Sequence, residues 1–224
     1  MRVPMKATPQ LKKRALVVFE ELRKAYPDAR CELDFSGPLE LAVAAILSAQ
    51  CTDKRVNMVT PELFRKYRAA ADWAATPQDV LEQEIRSTGF FRNKAKNIRA
   101  LAKVLAEQYG GRLPDDLDTL VTLPGIGRKT ANLLLADAFH KPGIIVDTHC
   151  RRVSQRLEFT RHDDPDKIEF DLKALIPEEH WSLFSHCMVF HGRYGCHARK
   201  PACPDCPVSK LCPAFRQFQP EVKA

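Results

Sequence analysis

Four cysteines in the 224-residue chain, Cys196, Cys203, Cys206 and Cys212, are spaced C-x6-C-x2-C-x5-C. Thiolates are soft ligands, and four within so short a span can hold a metal centre. Pro201, Pro204, Pro207 and Pro213 stiffen the turns between them. A second group is the string Leu123-Pro124-Gly125-Ile126-Gly127-Arg128-Lys129-Thr130. Its glycines permit a tight turn between two helical patterns, and backbone N–H groups there and at the start of the next helix can approach a phosphate. Arg128 and Lys129 add positive charge. A lysine attacks carbon only as the free amine, a form favoured by partial desolvation or by a helix N-terminus. The third group is Asp147, which follows the apolar run Ile144-Ile145-Val146 and precedes Thr148-His149. A carboxylate there can assist a leaving group or stabilise a cation.

Each group also has a plainer meaning. A Gly-x-Gly turn commonly just connects packed helices, Lys129 can simply touch a phosphate, and Asp147 stands where a helix N-cap is expected. Zinc is the alternative for the cysteines, although four-cysteine zinc sites commonly use two short pairs across a long spacer. Here one C-x2-C is flanked by longer gaps.

The elements that carry these residues read as helices. Apolar residues recur at three- and four-residue spacing, as in Leu11, Ala15, Val18, Leu22 and in Leu39, Val43, Ile46, Leu47. Thr60-Pro61, Thr76-Pro77 and Asp164-Pro165 each offer an N-cap followed by Pro at the first helical position. Helices are expected at 8–26, 38–50, 52–58, 61–68, 77–87, 92–109, 115–122, 128–139, 148–157, 165–175 and 179–193, so the fold class is all-α. After Tyr194 the composition shifts to a segment rich in Cys, Pro and basic residues. The interval from Lys129 to Asp147 is long enough for one helix and a return, which lets the two residues face each other across a cleft.

Composition narrows the class. A chain that is 45% hydrophobic can bury an ordinary core, which excludes a disordered tail or a disulfide-stapled miniprotein. Thirty-five Lys+Arg against 28 Asp+Glu favour a polyanionic partner. The first residues lack the apolar core and cleavage site of a secretory signal, and there is no apolar run of about 18 residues. An intracellular, reducing environment is therefore expected, with no membrane, and there a cysteine cluster reads as a metal site. Cys31, Cys51, Cys150 and Cys187 read as ordinary buried thiols.

Five segments together resemble one family. They are LSAQCTDKRVN at 47–57, GFFRNKAKNI at 89–98, LPGIGRKTANLLLADAF at 123–139, IIVDTHCRRVSQRL at 144–157 and HCMVFHGRYGCHARKPACPDCPVSKLC at 186–212. In order and spacing they look like the helix-hairpin-helix DNA glycosylases of the endonuclease III family, and the likeness spans nearly the whole chain. It implies a six-helix barrel domain with the hairpin at 31–141 and a helical cluster domain from 1–30 plus 142–224, flanking a DNA-binding groove. The implied activity is that of a bifunctional glycosylase and abasic-site lyase of base excision repair. Such an enzyme removes oxidised pyrimidines through a Schiff base on Lys129 and cleaves the strand by β-elimination, with Asp147 assisting base departure.

The resemblance further implies a 4Fe-4S cluster on Cys196, Cys203, Cys206 and Cys212, which would display a basic loop. It implies a double-stranded DNA partner with a damaged pyrimidine or an abasic site, and monomeric action. Gln50 matches the residue that enters the duplex, and Phe90 a position where the family carries a smaller apolar wedge, a departure that bears on lesion preference. Pro124, Gly125, Gly127, Arg128, Thr130, His149, Arg193 and Lys200 are the further expected DNA contacts. An adenine-mismatch glycosylase shares the hairpin and cluster but typically lacks the hairpin lysine. A noncatalytic DNA-binding or redox module would leave Lys129 and Asp147 without a task.

Overall fold

The computed structural model describes residues 7–218, which are helical with no strand among them. The helices are α1 Pro9–Ala25, α2 Pro38–Leu47, α3 Asp53–Lys66, α4 Ala70–Ala75, α5 Gln78–Glu84, α6 Phe91–Gln108, α7 Leu117–Leu120, α8 Arg128–Leu133, α9 Thr148–Arg156, α10 Pro165–Leu175, α11 Trp181–Tyr194 and α12 Phe215–Phe218. They divide between two compact units. One is Glu32–Lys141, and the other joins the chain up to Cys31 with the chain from Pro142 onward.

In the inner unit α2 is the central helix. Leu41, Ala42, Val43, Ala44, Ile46 and Leu47 are all buried, an apolar surface on nearly every side that requires neighbours all round. The longer α6 is amphipathic, burying Ala95, Ile98, Leu101, Ala102 and Leu105 at helical spacing. Trp73 of α4 packs its ring 4.6 Å from that of Tyr67. The outer unit draws on both of its chain segments for one core. Ala15, Val18, Phe19 and Leu22 of α1 pack with Val153 of α9, Ile168 and Leu172 of α10, and Phe184, Cys187 and Met188 of α11.

Several local expectations are corrected. Thr60-Pro61 does not start a helix; it lies inside α3, whose buried face of Val56, Thr60 and Leu63 carries the helix through the missing proline N–H. Thr76 closes α4 instead of capping α5, its hydroxyl donating to the Asp72 carbonyl at 2.8 Å. The short α4 itself had no legible period. Asp164 does cap α10, accepting from the N–H groups of Asp166 at 2.9 Å and Lys167 at 3.3 Å. The helix expected at 128–139 changes pitch: α8 ends at Leu133 and Leu134–Ala138 is a π turn, with the Phe139 N–H donating back to Leu134 at 3.1 Å.

Candidate functional site

In the inner unit α7 and α8 flank the glycine-bearing turn. Asp116 caps α7, accepting from the Thr119 N–H at 2.8 Å, and that bond holds its carboxyl below the usual range. Leu123 and Ile126 are buried and anchor the turn, while Gly127 and Lys129 lie nearer its surface. Gly125 has φ +76, and a Cβ there would lie 3.0 Å from Asn97 Cβ and 3.1 Å from Ile46 Cδ1. The turn is therefore seated against α6 and α2 at a point where only glycine fits. Gly127 differs: its backbone is extended and an added Cβ would meet nothing. Its value lies in giving α8 no side-chain cap, which lets an outside anion approach the start of that helix. Lys129 is the second residue of that helix.

Gln50 and Phe90, in the same unit, share a property that residue type alone does not announce. Both have left-handed backbones, at φ 53 and φ 48, although neither is glycine. Such conformations cost about 1–3 kcal/mol each and persist where the surroundings impose them. Gln50 is exposed in the turn after α2, which ends at Leu47, and its left-handed backbone keeps that helix from running to 50. Phe90 stands just before α6 and is 62% exposed, a large apolar ring presented to solvent.

In the outer unit the buried run Ile144-Ile145-Val146 delivers Asp147 to the start of α9. Asp147 is half-buried, and its Oδ1 accepts from the Cys150 N–H at 2.7 Å. A carboxylate has two oxygens and about four acceptor positions, so this cap leaves capacity for chemistry. His149 follows on α9, its Nδ1 3.2 Å from Arg152 Nη2. Arg152 in turn donates to the carbonyls of Gly192 at 2.6 Å and Cys196 at 3.0 Å.

Gly192, a position with no distinguishing signal in the sequence, sits where α11 crosses α9. A Cβ there would be 2.8 Å from His149 Cβ and 3.1 Å from the His149 carbonyl oxygen. Both are on the helix that Asp147 caps, and neither can swing away. Gly192→Ala is expected to destabilise by about 2 kcal/mol, or roughly 4–8 °C in Tm by calorimetry. An unchanged Tm would mean that the crossing relaxes freely.

Cys196, Cys203, Cys206 and Cys212 are each half-buried and line one recess with Val153, Leu157, Val208 and Ala214. Burial pushes the Cys206 thiol up to about 11 and raises Cys203 and Cys212. Arg156 holds the loop from beneath, with Nη1 3.2 Å from Cys196 Sγ and bonds to the carbonyls of His197 at 2.7 Å and Ala198 at 3.0 Å. His191 Nε2 lies 3.6 Å from Cys206 Sγ, and burial holds this imidazole down at about 4. Among the described residues no three His, Cys, Asp or Glu side chains are arranged to hold a single metal ion. Four thiols lining one apolar recess offer the soft donor set that thiolate-held centres use.

Arg193 is half-buried in the last turn of α11, and Lys200 is exposed within the cysteine loop at φ 52. Pro124 is half-buried in the hairpin and Thr130 lies in the first turn of α8. Of the four remaining thiols, Cys150 and Cys187 are fully buried as expected, but Cys31 and Cys51 are only half-buried.

Residues 43–178 match the family model described as HhH-GPD superfamily base excision DNA repair protein. The chain is 50% identical over 204 residues to the endonuclease III of Synechocystis sp., covering 91% of this chain and 93% of that one. Among solved structures it resembles an endonuclease III in a non-covalent complex with DNA, at TM-score 0.89 and 48% identity, over 94% of this chain and 99% of that one. A trapped covalent intermediate of an endonuclease III with DNA gives the same TM-score and identity over 93% of this chain and 98% of that one.

Proposed function

This chain belongs to the HhH-GPD superfamily of base excision DNA repair proteins and, within it, to the endonuclease III family, and from that premise we propose that Lys129 is its nucleophile and Asp147 its assisting carboxylate. The protein is a DNA glycosylase and abasic-site lyase. The observation that carries the residue assignment is a lysine at the second position of a helix that a glycine hairpin leaves without a side-chain cap.

On this reading the partner is double-stranded DNA, and the substrate nucleotide carries an oxidised pyrimidine or has already lost its base. Backbone N–H groups at the start of α8, with Arg128 and Thr130, hold phosphate, while Pro124 and Gly125 let the strand approach. The Lys129 amine attacks the sugar carbon that carries the base. The bond to the base breaks, the base leaves with the bonding electrons and takes up a proton, and the ring opens to a protonated imine. Loss of a proton from the neighbouring sugar carbon then expels the 3′ phosphate by β-elimination, and water releases the lysine. Asp147 stabilises the positive charge that develops as the base departs and takes up a proton from the attacking amine. Gln50 fills the space left by the extruded nucleotide and Phe90 wedges the opposite strand, since chemistry on the sugar requires the nucleotide out of the stack. His149, Arg193 and Lys200 contact the backbone.

Cys196, Cys203, Cys206 and Cys212 hold a 4Fe-4S cluster, which when bound supplies a rigid four-thiolate template for the loop bearing Arg199 and Lys200. Monomeric, intracellular action belongs to the same proposal. The experiment is borohydride reduction of the protein on a duplex containing an oxidised pyrimidine. A covalent adduct of one protein per strand is expected, and base release with no adduct would reassign the chain to hydrolysis without a lysine intermediate.

A further inference from the structure

Lys94, in the first turn of α6, is only 3% exposed. A buried ammonium is costly unless its donors are met, and here two of its three N–H groups find backbone carbonyls. Its Nζ donates to the Leu47 carbonyl and to the Thr88 carbonyl, both at 2.7 Å. Leu47 is the last residue of α2 and Thr88 the last of the 3₁₀ turn Arg86–Thr88. Each carbonyl lies at an end where the helical ladder runs out, where a cation is also favoured by the aligned peptide dipoles. Burial lowers the Lys94 ammonium from its usual value.

Beyond each carbonyl the chain enters a left-handed turn. Three residues after Leu47 comes Gln50, and two residues after Thr88 comes Phe90, both exposed and both on positive-φ backbones. Gly89, between Thr88 and Phe90, also has a positive φ of 69. Two strained turns thus diverge from a single ammonium group. Lys94 is itself tied to one of them, since its own N–H donates to the Phe90 carbonyl at 3.2 Å.

We infer that Lys94 is the positioning residue that fixes Gln50 and Phe90 relative to each other, so that the plug and the wedge enter the duplex together. The inference rests on the reading of Gln50 and Phe90 as the inserting pair. Lys94 touches neither DNA nor the reacting atoms; it acts through two carbonyls. Lys94→Met keeps an unbranched apolar stem but removes the ammonium from which both carbonyls accept, whereas Lys94→Gln keeps a neutral donor nitrogen on a shorter stem.

The test uses the full-length protein with a duplex in which 2-aminopurine stands opposite a non-cleavable abasic analogue. Insertion unstacks the fluorophore and raises its emission. Trapping on a single-stranded abasic oligonucleotide, where nothing has to be unstacked, serves as the parallel readout. Lys94→Met is expected to lose most of the emission rise and at least about tenfold of kcat on duplex substrate, with single-strand trapping within about twofold of the parent; Lys94→Gln is expected to fall between. Equal losses on both substrates in the Gln variant would reduce Lys94 to a structural residue and overturn the inference, and this variant decides the matter if the Met variant does not fold. If Gln50→Ala and Phe90→Ala each leave the emission rise intact, the inserting-pair reading fails. If those two abolish the rise and Lys94→Met does not, the pair stands and the positioning role falls.

Discussion

Lys129→Gln is expected to abolish borohydride trapping, a loss on the order of 10⁴-fold or more, as when a covalent nucleophile is removed from other enzymes. Duplex binding should fall by no more than a few fold. The two expectations separate because Lys129 lies outside the buried set of its short helix, which is Ala131, Asn132 and Leu133, and has no core packing to lose. Gln is close to Lys in length and helix propensity, so α8 and the hairpin should be undisturbed. Its lost charge removes at most one phosphate contact, read as a decrease of about one in the salt slope of binding. Quantitative gel trapping and anisotropy at several salt concentrations measure the two sides. Undiminished trapping in the variant would place the nucleophile on another amine.

Asp147→Asn should lower the rate of base release by about 10²–10⁴-fold, the range of a positioned acid or base, while moving stability by less than about 1 kcal/mol. The structure shows this residue already employed as the N-cap of α9 through Oδ1. Asn caps a helix as well as Asp does, so the substitution removes the negative charge and keeps the cap. Asp147→Ala removes both and should cost about 1 kcal/mol more in thermal or denaturant unfolding. Single-turnover base release set beside unfolding curves distinguishes the roles. An Asn variant with parental rate, beside an impaired Ala variant, would leave Asp147 as a cap alone.

The helical class and the cysteine loop were legible because both are written in local signals: a three-to-four-residue apolar period and a dense thiol spacing. The hairpin was legible for the same reason, since Gly125 stands in a turn whose residues lie within one string. Gly192 was not, because its need for a missing Cβ arises from His149 on another helix, and one sequence does not display a crossing point. Lys94 was hidden more thoroughly. Among Arg92, Lys96 and Arg99 it reads as one more charge on a solvated helix face, and only the fold turns it inward toward two carbonyls on other elements. Pro61 misled in the opposite direction, since a strong local breaker was overridden by the buried face of α3.

The outer unit joins α1 to helices that lie beyond Pro142 in the chain, and this has a consequence during synthesis. A ribosome adding about 5–20 residues per second completes the whole inner unit before it makes the first partner of α1. For roughly 5–20 s the apolar stripe of Ala15, Val18, Phe19 and Leu22 travels outside the ribosome with no core to enter. The nascent chain therefore carries a sticky leading helix tethered to a finished body, and α1 is the segment on which a chaperone or a premature misassembly would act first.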